Sequence, residues 1–124
     1  MEALGRHILL ELRDCNAEKL DDLSFLRDAM LNAAEETGAT IIGEMFHQFS
    51  PQGVTGVVAI AESHLCVHTW PEHSYAAVDI FTCGEGFQPR EAARLIIAAV
   101  ESRDHELTEV IRGNLTSLAP VFGA

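Results

Sequence analysis

Between positions 65 and 70 the side chains alternate in character, with Leu65, Val67 and Thr69 set against Cys66, His68 and Trp70. A period of two belongs to a β-strand, so the first set faces one side of a sheet and the second set faces the other. One side is ordinary core. The opposite side carries a thiol, an imidazole and an indole, with the Ser63 hydroxyl at the strand's entrance and the Glu72 carboxylate past its exit. A turn and a strand need few of these groups, so this stretch is the first candidate for chemistry.

The same period recurs at positions 75–82. Ala76, Val78 and Ile80 suit a covered face, while Tyr75, Ala77, Asp79, Phe81 and Cys83 fall on the side of Cys66, His68 and Trp70. Further strands are expected at 7–12, 40–49, 54–61 and 106–112, with breaks at Ser50-Pro51-Gln52-Gly53, at Glu62-Ser63-His64 and at Cys83-Gly84-Glu85-Gly86. Leu20, Leu23, Leu26, Met30 and Ala34 recur every three or four residues, which predicts a helix over 17–37, capped by Asn16 and terminated at Gly38. A second helix is predicted from Pro89 to position 103, with Ala92, Ala93, Ile96, Ala99 and Val100 inward. A tail through Pro120 and Gly123 is expected to be loosely ordered.

These elements specify an α+β fold: a two-layer α/β sandwich with a mostly antiparallel sheet and both helices on one face. The uncovered face is too apolar for plain solvent surface and too polar for plain core. Such a mixture fits a sheet that packs on the sheet of a second copy with a site between them, giving a four-layer αββα homodimer.

At 124 residues the chain makes one domain. Its 19 acidic and 8 basic side chains give a net charge of −11, which excludes a phosphate-tracking nucleic-acid surface and suits a cationic small molecule. No stretch approaches the roughly 20 apolar residues of a membrane span, and the amino terminus lacks a signal-peptide run. A cytoplasmic location is therefore expected, with no membrane and no nucleic-acid partner. Three cysteines, Cys15, Cys66 and Cys83, give no disulfide framework, so reduced thiols are expected.

Glu62-Ser63-His64-Leu65, His68-Thr69-Trp70-Pro71-Glu72 and Asp79-Ile80-Phe81-Thr82-Cys83-Gly84 closely resemble the motifs of the prokaryotic S-adenosylmethionine decarboxylases. The similarity extends from Gly5-Arg6-His7 through Gly38-Ala39-Thr40 to about Gly113. It implies self-cleavage between Glu62 and Ser63 into a smaller β chain, residues 1–62, and a larger α chain, residues 63–124, with Ser63 converted to a covalent pyruvoyl cofactor. The steps would be an N-to-O acyl shift, β-elimination and hydrolysis of the resulting dehydroalanine. The pyruvoyl carbonyl would form a Schiff base with S-adenosylmethionine and act as electron sink for loss of carbon dioxide, the role pyridoxal phosphate fills elsewhere. The product would be S-adenosyl 3-(methylthio)propylamine, which supplies spermidine biosynthesis. The active assembly would be a homodimer of cleaved αβ protomers.

The resemblance also assigns roles. His68 assists the backbone cleavage, Cys83 donates a proton to the decarboxylated carbon, and Glu72 accepts hydrogen bonds from the ribose. Phe49 and Trp70 offer aromatic faces to an adenine. Where the family carries serine, this chain has Thr55, which keeps the hydroxyl that supports processing and adds a methyl group.

Other readings stay open on the residues themselves. His64, Cys66, His68, His73 and Cys83 are metal ligands by type, although their spacing matches no zinc signature. The same pyruvoyl chemistry serves arginine or ornithine equally well, and a paralogue without activity would be a regulatory subunit.

Overall fold

The structure, a computed structural model, describes residues 3–83 and 86–115. Among them, six strands form one sheet in the order β2-β3-β4-β5-β1-β6, every neighbouring pair antiparallel. In chain order these are β1 Ala3–Arg13, β2 Ile41–Gln48, β3 Val54–Ile60, β4 Ser63–Trp70, β5 Tyr75–Thr82 and β6 Asp104–Asn114. The helices are α1 Ala17–Leu20, α2 Leu23–Glu36 and α3 Pro89–Ala99, and a single 3-10 turn, Pro71–His73, links β4 to β5. The α+β sandwich with an antiparallel sheet is as expected.

The alternation read from the sequence decides which face is covered. Ile8, Leu10 and Leu12 of β1, Val58 and Ile60 of β3, Leu65 and Val67 of β4, and Ala76, Val78 and Ile80 of β5 are buried. Against them lie Leu26, Met30, Ala33 and Ala34 of α2 and Ala92, Ala93 and Ile96 of α3. Each large side chain removed from water in this way contributes about 1.5–3 kcal/mol. The paired alanines of α2 and α3 let the two helices touch while both remain on the sheet. Gly56 serves the same closeness, because the Phe46 ring lies over it where any Cβ would collide.

Two helix boundaries differ from expectation. The helix predicted over 17–37 is broken at Asp21 and Asp22: the Asp22 side chain accepts from the Phe25 N–H and caps α2. The Asp21 Oδ1 accepts from the Gly53 N–H and from Gln48 Nε2, each at 2.9 Å. Aspartate satisfied this way competes with helix continuation. The second helix ends at Ala99 instead of position 103, where the Val100 carbonyl accepts from the Asn16 N–H and the Ser102 hydroxyl donates to the Arg13 carbonyl. These bonds turn the chain into β6, which runs two residues longer at each end than the 106–112 expected. The tail through Pro120 and Gly123, and Gly84 and Glu85 of the expected break, lie outside the described residues.

Candidate active site

The β3–β4 connection is as short as a hairpin allows. Ile60 pairs with Ser63, leaving Ala61 and Glu62 to reverse the chain. Such turns favour glycine or asparagine where the backbone is left-handed, yet Glu62 holds φ 62°. A side chain there costs about 1–2 kcal/mol. The surroundings enforce it: the Ala61 N–H donates to the Thr40 carbonyl at 2.9 Å, fixing the turn to the chain that leaves α2.

Just beyond β5, the Cys83 thiol donates to the Glu62 carbonyl, with Sγ 2.6 Å from the oxygen. The Ser63 hydroxyl donates to Thr82 Oγ1 at 3.4 Å, and Ser63 and Thr82 are direct partners in the β4–β5 ladder. One peptide bond, Glu62–Ser63, thus has a hydroxyl on one side and a thiol on its carbonyl. A cavity of about 140 Å³ opens beside it, bounded by Gly38, Thr40, Ile60, Glu62, Ser63 and Cys83. Ser63 shares the parity of Leu65, Val67 and Thr69, so its side chain starts on the helix-covered side. This corrects the expectation that it joins His68 on the uncovered face.

The other end of β4 is built differently. Thr55 and His68 are direct partners across β3 and β4, with Thr55 Oγ1 3.1 Å from His68 Nδ1. The hydroxyl and the ring nitrogen can each donate or accept, so the contact orients the imidazole in either tautomer. Trp70 is 42% exposed, its ring 5.4 Å from that of Tyr75, and Glu72 is exposed in the 3-10 turn. Phe49, 48% exposed, has its ring 4.6 Å from His47 at the start of the β2–β3 loop, the loop that Asp21 holds. Thr55, His68, Phe49, Trp70 and Glu72 therefore share one end of the sheet, and Glu62, Ser63 and Cys83 the other.

An extended chain rises about 3.3 Å per residue, so five residues set His68 about 16 Å from Ser63 along β4. The expectation of an imidazole beside the Ser63 hydroxyl is corrected for a single protomer: the strand that carries both keeps them apart and turns them to opposite faces.

Between the two ends the uncovered face is polar in a particular way. Arg112 Nη1 lies 3.4 Å from His7 Nδ1. A guanidinium only donates, so Nδ1 accepts and the proton sits on Nε2. That Nε2 is buried 3.8 Å from Asp79 Oδ2 and lacks a hydrogen-bond partner among the described residues. Burial holds the His7 pKa below its ordinary value, opposed by Asp79 and reinforced by Arg112 and His64. The Cys66 thiol, opposite Asp79 in the ladder, is pushed up by burial and then by that carboxylate. Phe81 lies between His7 and His64, its ring centroid 5.6 Å from each of theirs. Among the described residues no three of His, Cys, Asp and Glu are disposed to hold a metal ion, so the ligand types at His64, Cys66, His68, His73 and Cys83 do not assemble into a site.

Arg112 was not singled out from the sequence, since a lone arginine near a chain end carries no local signal. Thr82 was missed as well. Its signal was present: a hydroxyl falls where the series Ala76, Val78, Ile80 calls for another apolar residue.

Residues 6–113 match the family model described as S-adenosylmethionine decarboxylase. A Thermodesulfovibrio yellowstonii protein named S-adenosylmethionine decarboxylase proenzyme is 51% identical over 113 residues, 91% of this chain and 84% of that protein. A Pseudomonas aeruginosa protein of the same name is 47% identical over 110 residues, 89% of this chain and 69% of its own. The crystal structure of the Aquifex aeolicus adenosylmethionine decarboxylase superposes with a TM-score of 0.87 at 33% identity, covering 97% of this chain and 99% of that one.

Proposed function

The chain belongs to the S-adenosylmethionine decarboxylase family, and from that premise we propose that it cuts its own backbone between Glu62 and Ser63 and then decarboxylates S-adenosylmethionine. The observation that carries this reading is the Glu62 carbonyl, held in a left-handed turn, hydrogen-bonded to the Cys83 thiol and joined by its peptide bond to Ser63. The name proenzyme carried by the relatives supports it.

The Ser63 Oγ attacks the Glu62 carbonyl carbon, and negative charge gathers on the oxygen to which the thiol already donates. A donor aimed at developing charge is worth several kcal/mol in such steps. Collapse breaks the Glu62–Ser63 C–N bond and leaves an ester, with the former hydroxyl proton on the freed amine. Loss of the Ser63 Cα proton expels the Glu62 carboxylate, and hydrolysis of the dehydroalanine releases ammonia and leaves the pyruvoyl group at position 63.

The neighbourhood suits that group. Position 63, at the start of β4, lies beside the Thr82 hydroxyl, the Cys83 thiol and the cavity of about 140 Å³, which would hold the group at the new chain end. A pyruvoyl group there would supply an electrophilic carbonyl and an electron sink for an amino-acid substrate. Cys83, whose thiol lies on the Glu62 carbonyl, returns a proton to the carbon that loses carbon dioxide in this reading.

The remaining groups come from a second copy. A two-fold axis lying between two sheets and across their strands sets the Ser63 end of one copy against the His68 end of its partner, giving an αββα homodimer of cleaved protomers. Exposed Ile42 and Met45, 70% and 72% accessible, and half-covered Leu9 give the uncovered face apolar area to bury. In this arrangement His68, oriented by Thr55, moves protons during cleavage. Phe49 and Trp70 hold the adenine and Glu72 takes the ribose hydroxyls. The product, S-adenosyl 3-(methylthio)propylamine, is an aminopropyl donor for spermidine, and we assign the enzyme to the cytoplasm.

Intact-mass spectrometry tests the cleavage. Cutting at this bond gives two pieces of 62 residues each, equal in length where the sequence reading had one smaller and one larger. The expected result is two fragments, the carboxy-terminal one blocked by pyruvoyl and trapped as a borohydride adduct with S-adenosylmethionine in competition with arginine and ornithine. Ser63→Ala folds and stays whole. A stable uncut parent chain overturns the proposal.

A further inference from the structure

Among the described residues three polar side chains are buried: Thr37, Thr69 and Thr82. Two of them have structural work. The Thr37 hydroxyl donates to the Ala33 carbonyl at 2.6 Å at the end of α2. The Thr69 hydroxyl donates to the Leu20 carbonyl at 2.7 Å and accepts from the Val54 N–H at 2.9 Å, joining α1 to two strands. Thr82 is different. It is 3% exposed, and among the described residues the hydrogen-bond partner of its hydroxyl is the Ser63 hydroxyl. Burying a hydroxyl without a firm partner costs about 1–3 kcal/mol, so valine would serve the sheet better at this position.

We infer that Thr82 is a positioning residue for self-cleavage, its hydroxyl holding the Ser63 Oγ in the rotamer that faces the Glu62 carbonyl. This rests on the reading of Ser63 as the cleavage nucleophile. Ser63 has three staggered χ1 wells, and only some bring Oγ toward the carbonyl of its own preceding residue. Thr82, fixed in the ladder directly opposite, offers its lone pairs to one of them. The 3.4 Å separation is long for a hydroxyl pair. Contacts of this kind tighten as the reacting geometry forms. In the step itself the Oγ–C bond forms, the C–N bond breaks and the hydroxyl proton passes to the freed nitrogen. Thr82 neither gains nor loses a proton, so its effect is confined to the acyl shift.

The test follows cleavage of newly made full-length chain in a cell-free translation, by gel and intact mass, for the parent, Thr82→Val and Thr82→Ser. Losing one hydrogen bond to the nucleophile slows Thr82→Val about five- to tenfold, while its thermal midpoint holds or rises. Hydroxylamine, which cuts an accumulated ester, does not restore the lost rate, and Thr82→Ser recovers most of it. A purely structural threonine would lose stability together with rate. Should the valine variant misfold, Thr82→Ala, which removes the hydroxyl and a methyl group without adding bulk, reads the same loss. Parent-rate cleavage in a folded Thr82→Val or Thr82→Ala chain overturns the inference and leaves the Ser63 reading standing. An uncut parent overturns both.

Discussion

At one end of β4 a backbone bond is held in a strained turn, with Cys83 on its carbonyl and the Ser63 hydroxyl against Thr82. At the other end the groups are side chains carried by strands and the adjoining turns: His68 beside Thr55, Trp70 near Tyr75, Phe49 and Glu72 open to solvent. In the proposed function the first end alters the chain itself and the second receives something from outside. An extended strand makes this division unavoidable, since it is rigid and about 16 Å separates the two sets. In the proposed pairing, each end of one protomer works with the opposite end of the other.

The two ends part most sharply at Cys83. Removing the donor from the Glu62 carbonyl in Cys83→Ala should slow self-cleavage about 10²–10³-fold, read by the fraction of whole chain against time. Trp70→Ala sits at the receiving end and should leave cleavage at the parent rate. Losing a stacking face there raises the KM for S-adenosylmethionine about tenfold, as expected for roughly 1.5 kcal/mol of aromatic contact. An equal effect of both variants on cleavage would erase the distinction between the ends.

The smallest effect concerns His7, between the two ends. Burial lowers its folded pKa below 6.5, so acid protonates the unfolded chain first. The stability it contributes is present above about pH 6.5 and is lost as pH falls through the lowered folded value. The thermal midpoint should therefore be flat above neutrality and drop slightly below pH 6.5, and His7→Gln should flatten that drop. An unchanged drop in His7→Gln would assign it to other groups.

What the sequence made legible were the features with a local period. The alternations at 65–70 and 75–82 placed β4 and β5 and sorted their faces, because a half-covered strand writes its environment into every second residue. The break at Asp21 was invisible in the same way: the leucine stripe runs straight through it, and the partners that draw that aspartate out of the helix, Gln48 and Gly53, lie 27 and 32 positions away. The Ser63–His68 proximity failed for a related reason. Five positions look close in a sequence, and only the strand's extension separates them. The motif names candidate residues without telling which copy would supply them in the proposed dimer.

In the proposed dimer each site draws on two chains, which a mixed dimer reveals. Ser63→Ala and His68→Ala chains, each uncut alone, are co-expressed with distinguishable tags and the mixed dimer is isolated for intact-mass analysis. If the partner completes the site, the His68→Ala chain is cut at Glu62–Ser63, because its own Ser63 meets the intact His68 opposite, and the Ser63→Ala chain remains whole. Mixed dimers in which both chains stay uncut would contradict the account.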